Sequence, residues 1–165
     1  MWQLGKEMPI GRGKRFTVMT EDRRIFVDTN VFLAATDKDR EGHRKSVEFL
    51  NSGLNGEVSL FICGQIIREY LVVATRPPEN NGLGLDSNSA HENVNSFLEA
   101  VGLLDETRES INLLLEFVKT KRLKGKRIHD ANILAVMKAH GVKRLCTRNP
   151  DHFKNFGPEF SVEEI

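Results

Sequence analysis

From residue 25 onward the chain alternates short apolar runs with longer amphipathic ones, and this alternation restricts the possible fold more than any other feature. IFVD (25–28) reads as a buried strand, and TNVFLAAT then opens a helical segment with Thr29 placed to cap it. HRKSVEFLN (43–51) has the pattern of a short amphipathic helix that Gly53 and Asn55 help to end. EVSLFIC (57–63) is a second strand, and QIIREYLVVAT (65–75) is a helix stopped by Pro77 and Pro78. After an Asn- and Gly-rich loop (79–88), SAHENVNSFLEAV (89–101) is helical, with a brief strand around Leu103 and Leu104. ESINLLLEFVKTKRL (109–123) and HDANILAVMKAHG (129–141) are helices, the second closed by Gly141. VKRLCT (142–147) is a strand, after which NPDHF turns sharply. Strands alternating with helices imply an α/β chain with a mainly parallel sheet covered on both faces.

A length of 165 residues fits one domain with a single substantial core. With 39% apolar and 28% charged residues the chain is ordinary for a globular protein, not a disordered one. No segment approaches the roughly 20 apolar residues of a membrane span, and MWQLGKEMPIGRGKRF lacks the apolar stretch of a secretory signal. The expected location is therefore the cytoplasm. Residues 1–24, with Gly5, Gly11, Gly13 and Pro9, read as a basic flexible extension, and Met19 is a candidate start of the functional polypeptide. The domain is expected over 25–157, with 158–165 as a C-terminal tail. Cys63 and Cys146 end apolar runs and read as reduced core thiols; their number and spacing exclude metal chelation by cysteine.

Net charge is +1, but it is unevenly spread. KTKRLKGKR (119–127) holds six basic residues and no acid. Residues 86–116 hold seven acids against one base, Arg108. The basic run fits either a solvated helix end or a phosphate-binding rim.

Three carboxylates stand out. Asp28 closes an apolar strand, where a charge is costly to desolvate without compensation. Asp130 shares a helix face with Ile133, Leu134 and Met137 and should lie inward or along the core margin; taken alone it also fits a helix N-terminal acid. Glu69 lies on a helix that is apolar almost all round, and a surface glutamate near Arg68 or Arg76 is the alternative. In open parallel sheets function collects outside the carboxyl ends of the strands, which makes Thr147 and Asn149, after the last strand, candidate neighbours of Asp28. Two carboxylates ~4 Å apart repel by about 4 kcal/mol at an effective dielectric near 20. A cluster of three needs a cation, and Mg²⁺, which takes oxygen ligands and keeps several waters, suits it. No His or Cys spacing suggests zinc. Magnesium held by few carboxylates works on phosphate oxygens, so the implied chemistry is phosphodiester hydrolysis.

FVDTNVFLAA, IIREYLVVATRP and IHDANILAVMKAHGVKRLCTRNPDHF resemble the successive motifs of PIN-domain ribonucleases, and most of all VapC-type toxins of type II toxin–antitoxin pairs. The resemblance runs from about Ile25 to Phe156 and implies a PIN-like three-layer α/β/α sandwich. It implies that Asp28 and Asp130 are principal Mg²⁺ ligands, with Mn²⁺ able to substitute, and that Glu69 is the third acid. Thr29 and Asn30 would orient Asp28, and Thr147 matches the family's threonine. At the fourth acidic position this chain has Asn149, with Asp151 two residues on as a possible replacement and His152 where another acid often precedes Phe153. The family implies an endoribonuclease, a cognate antitoxin and a homodimer. In that setting Lys124, Lys126 and Arg127 become candidate RNA-backbone contacts, while His129 is expected to cap its helix or pack. Two rivals stand beside this reading. A haloacid-dehalogenase-like phosphatase wants a second Asp where Asn30 stands, and a non-catalytic PIN-like RNA-binding or scaffold module would tolerate Asn149.

Overall fold

The computed structural model describes residues 23–165; the expected N-terminal extension and the Met19 start lie almost wholly outside them. Five strands form one fully parallel sheet: β1 (Arg24–Val27), β2 (Ser59–Cys63), β3 (Val101–Leu104), β4 (Arg144–Thr147) and β5 (Ser161–Glu164). Among the described residues, six α-helices lie between β1 and β4: α1 (Thr29–Thr36), α2 (His43–Leu54), α3 (Gly64–Thr75), α4 (Ser87–Ala100), α5 (Arg108–Thr120) and α6 (Arg127–Ala139). Parallel neighbours cannot be joined by a hairpin, so helices carry the chain back between β1 and β4. Helices α1 to α4 pack on one another, and α5 packs along α6, which completes a three-layer α/β/α sandwich. Among the described residues, no helix is long and apolar enough to cross a membrane.

The strand order is β3-β2-β1-β4-β5. The chain builds outward from β1 through β2 to β3, then crosses to the other side of β1 with β4. Phe26 pairs in register with Phe61 on one side and Leu145 on the other. The order therefore reverses between β1 and β4, and the crevice beyond their carboxyl ends is where such sheets bind ligands.

Burial on both faces explains why β1 and β2 read as apolar runs, IFV and LFIC. Phe26, Val27 and Leu145 are fully buried, as are Val31, Phe32, Ile66, Leu134 and Met137 from the covering helices. Cys63 and Cys146 are free and buried, as expected, and burial pushes the Cys146 thiol up to about 12. Tyr70 is buried too; its hydroxyl meets Thr36 Oγ1 and the Asn93 amide, each at 3.0 Å.

Several elements differ from expectation. Helix α2 runs through Gly53 to Leu54 and is capped by Asn55, so of the two expected terminators only Asn55 acts; a Cβ at Gly53 would lie 2.5 Å from Leu60 Cδ1 and 2.8 Å from Ala100 O. Gly53 lets the helix approach the sheet; it does not stop the helix. Helix α5 stops at Thr120, so most of the basic run is the α5–α6 connection, turned by Arg122 and Gly125 at positive φ. The segment read as a C-terminal tail contains β5, an edge strand tied to β4 by a two-pronged ion pair from Arg144 to Glu163 at 2.7 and 2.9 Å. Gly141, with φ +66°, follows α6 as the expected C-terminal turn, and Val142 N–H donates to Met137 O at 2.8 Å.

Candidate active site

Asp28 is the residue at which β1 becomes α1. Its backbone is extended, and its carboxylate Oδ1 accepts the Thr29 N–H at 2.7 Å, so Asp28 itself, not Thr29, caps the helix. The other oxygen, Oδ2, accepts from Thr147 Oγ1 at 2.6 Å and from Asn30 Nδ2 at 2.8 Å. Asn30 also donates to Thr147 Oγ1 at 3.0 Å and accepts the Arg148 N–H through Oδ1 at 3.0 Å. The two ends of the chain's motif set are thus stitched together at the β1–β4 crevice.

Glu69 comes from α3. Its Oε2 accepts from Thr29 Oγ1 at 2.8 Å, and its Oε1 accepts from Gln65 Nε2 at 2.7 Å. Asp130 stands in the first turn of α6, which begins earlier than expected, at Arg127. Its side chain is 18% exposed, at the core margin as its helix face required. Arg127 Nε and His152 Nδ1 each lie 3.9 Å from Asp130 Oδ2, and His129 Nδ1 lies 3.9 Å from Glu69 Oε1. His129 neither caps nor packs: its side chain is 67% exposed on the flank of the acids.

Electrostatics join the three acids. Burial raises Asp28 to about 6, hydrogen bonds from Thr147 and Thr29 oppose this, and the charges of Glu69 and Asp130 push it higher. Burial also raises Asp130; His152 and Arg127 hold it down, while Glu69 adds to the rise. Asp28, Glu69 and Asp130 therefore feel one another across the crevice, which is the mutual repulsion a cation relieves.

The remaining expected residues divide. Thr29, Asn30 and Thr147 are brought to Asp28. Asn149 is exposed and contributes its backbone N–H to Thr147 Oγ1 at 3.1 Å. Asp151 is not brought to the acids; its carboxylate is engaged by Lys154, whose hydrogen bond lowers it. Arg127 lies against the site, with its guanidinium 5.3 Å from the centre of the Phe156 ring, whereas Lys124 and Lys126 are exposed on the connection. Gln65 and Asn132 went unremarked in the sequence. Gln65 lies one helical turn before Glu69, a spacing that places both on one face, and this was the available signal.

A parallel sheet with Asp28, Glu69 and Asp130 near its carboxyl edge, where strand order reverses, defines an α/β domain with an acidic crevice at that edge. The chain belongs to the PIN-domain family, whose model matches residues 25–157. It is 27% identical over 140 residues to ribonuclease VapC24 of Mycobacterium tuberculosis, a match covering 81% of this chain and 91% of that protein. Among solved structures, VapBC2 from Rickettsia felis bound to a promoter DNA fragment matches with a TM-score of 0.63 at 16% identity, over 86% of this chain and 98% of that one. Mycobacterium tuberculosis VapC20, a toxin that cleaves the sarcin-ricin loop, matches at 0.55 and 17%, over 73% and 86%. A toxin–antitoxin complex from Klebsiella pneumoniae matches at 0.57 and 19%, over 86% and 99%.

Proposed function

We propose that this protein is a Mg²⁺-dependent endoribonuclease acting as the toxin of a VapC-type toxin–antitoxin pair. The observation that carries the reading is the convergence of Asp28, Glu69 and Asp130, from three separate elements, at the carboxyl edge of the sheet. Similarity to a ribonuclease over most of both chains supports the activity. Similarity to toxin–antitoxin complexes supports an antitoxin partner. A homodimer and an RNA substrate complete the proposal, with the family as their support.

The donor set fits a hard divalent ion. It offers carboxylate oxygens that repel one another, while among the described residues no group of three or more His, Cys, Asp or Glu side chains already stands placed to hold an ion. An ion held by Asp28 and Asp130, with Glu69 beside them and water in the remaining positions, matches the habit of Mg²⁺; Mn²⁺ would serve in its place. When bound, the ion supplies positive charge for phosphate oxygens and lowers the pKa of a coordinated water. The protein's own part is to hold Asp28 rigid through Thr147, Asn30 and Thr29, and Glu69 through Thr29 and Gln65. Lys124, Lys126 and Arg127 supply cations for the RNA backbone. With Asn149 uncharged and Asp151 engaged by Lys154, the working acids are three.

The test is cleavage of structured and unstructured RNAs by purified, antitoxin-free protein across a Mg²⁺ and Mn²⁺ titration, with Asp28→Asn as control. Metal-dependent cleavage that the variant loses is the expected outcome. Intact RNA at every metal concentration, with equal RNA binding by both proteins, would refute the enzyme and leave the non-catalytic RNA-binding module.

A further inference from the structure

Gln65 is 5% exposed, and its amide is used on both sides. Nε2 donates to Glu69 Oε1 at 2.7 Å and to His129 O at 3.1 Å, while Oε1 accepts from Asn132 Nδ2 at 2.7 Å. The network assigns the amide's orientation. Reversed, it would set an oxygen against two acceptors and an NH₂ against another NH₂. Beyond Asn132 stands Glu106, whose Oε1 pairs with Arg68 at 3.2 Å and lies 3.5 Å from Asn132 Nδ2. Hydrogen bonds therefore run in one direction, from Asn132 on α6 through Gln65 to Glu69 on α3. Since Thr29 Oγ1 holds the other oxygen of Glu69 at 2.8 Å, both carboxylate oxygens have fixed donors from different elements. The same amide bonds His129 O, one residue before Asp130, and so ties the Glu69 helix to the turn that carries Asp130.

We propose that Gln65 and Asn132 are positioning residues, an amide relay that aims the Glu69 carboxylate at the metal and fixes its separation from Asp130. The inference rests on the metal-dependent nuclease reading above. Side chains that orient a ligand in this way contribute about 10- to 100-fold in metal affinity or activity when removed. A buried amide serving only to pack would leave metal affinity alone.

Mn²⁺ binding, followed by electron paramagnetic resonance of the free ion, tests the relay without RNA, alongside cleavage kinetics and thermal melting. Gln65→Met removes the donor to Glu69 while keeping an unbranched side chain of similar length. Asn132→Asp leaves Gln65 and Glu69 in place but sets a carboxylate against Gln65 Oε1. Each variant is expected to weaken Mn²⁺ about tenfold, to lower kcat at limiting metal with KM for RNA unchanged, and to recover its rate in excess Mn²⁺. Should Gln65→Met fail to fold, the half-exposed Asn132→Asp decides. Folded variants that bind Mn²⁺ within about twofold of wild type overturn the relay while the metal site stands. So does a rate loss that no Mn²⁺ concentration restores. Wild-type protein that neither binds Mn²⁺ nor cuts RNA overturns the nuclease reading itself, and the relay with it.

Discussion

Asp28 makes the metal-free protein pH-sensitive in a direction opposite to that of most structural carboxylates. Its ordinary value is 3.8, and burial in the folded chain raises it to about 6. The folded protein thus keeps a proton that the unfolded chain has already released between pH 4 and pH 6. Stability attributable to this group is fullest near pH 4, falls as pH rises toward 6, and is level above that. At about 1.4 kcal/mol per pH unit, the roughly 2 units between the two states correspond to about 3 kcal/mol. With only 9% of the residue exposed, little of this is lost to solvent screening. Asp28→Asn removes the ionisation. It also sets an amide NH₂ against the Asn30 donor, a mismatch present at every pH, so only the change with pH carries the test. Urea unfolding of both proteins with chelator present, from pH 4 to 7.5, should show the stability difference moving by about 3 kcal/mol in favour of the variant. Asp130, which burial raises in the same direction, is present in both proteins and cancels to first order. A difference that stays constant with pH, or that moves toward wild type, would refute the account of Asp28 as a desolvated acid.

Two further outcomes follow from the site. Thr147→Val deletes the 2.6 Å donor to Asp28 and the acceptor for Asn30 and Asn149, and should cost about 1–3 kcal/mol in urea unfolding at neutral pH. Because this bond is the largest influence lowering Asp28, the pH range over which stability falls should also move upward, and an unmoved range would count against it. Charge-neutral substitution of Lys124, Lys126 and Arg127 should weaken RNA binding and flatten its salt dependence, by about 0.7 in log–log slope for each single-strand phosphate that is no longer neutralised. An unchanged slope would remove this connection from the RNA path.

The legible part of the molecule was the part that depends on periodicity. β1 and β2 declared themselves because burial on both faces demands apolar runs, β4 through the short Leu145–Cys146 run after Arg144, and α6 because Ile133, Leu134 and Met137 recur at helical spacing. Asp28 and Asp130 were legible as charges placed where desolvation penalises them, and Glu69 as a charge on a helix apolar almost all round. What escaped depends on long-range pairing. Nothing in SVEE announces an edge strand, since β5 is neither apolar nor alternating and owes its place to β4 and to Arg144. Gln65 and Asn132 escaped because an amide on a helix looks the same whether it meets water or a carboxylate. Asp151 had the right charge in the right stretch, but the turn at Pro150–His152 directs it to Lys154, while His152 faces Asp130. Arg127 read as a candidate RNA-backbone contact; its place beside the acids comes from the Asp130 carboxylate 3.9 Å away and the Phe156 ring next to its guanidinium.

The strand order has a kinetic consequence. The bond between Asp28 and Thr147 closes over 119 residues of chain, whereas β1 and β2 register about 35 residues apart. Pairings so distant in sequence are slow to form, and the pairing of β1 with β2 can precede the docking of β4. In any such intermediate Asp28 has neither Thr147 nor the Arg148 amide to fix its surroundings. Competence for chemistry at this crevice therefore arrives with the last strand pairing at β1, and a refolding chain regains its helices before it regains its site.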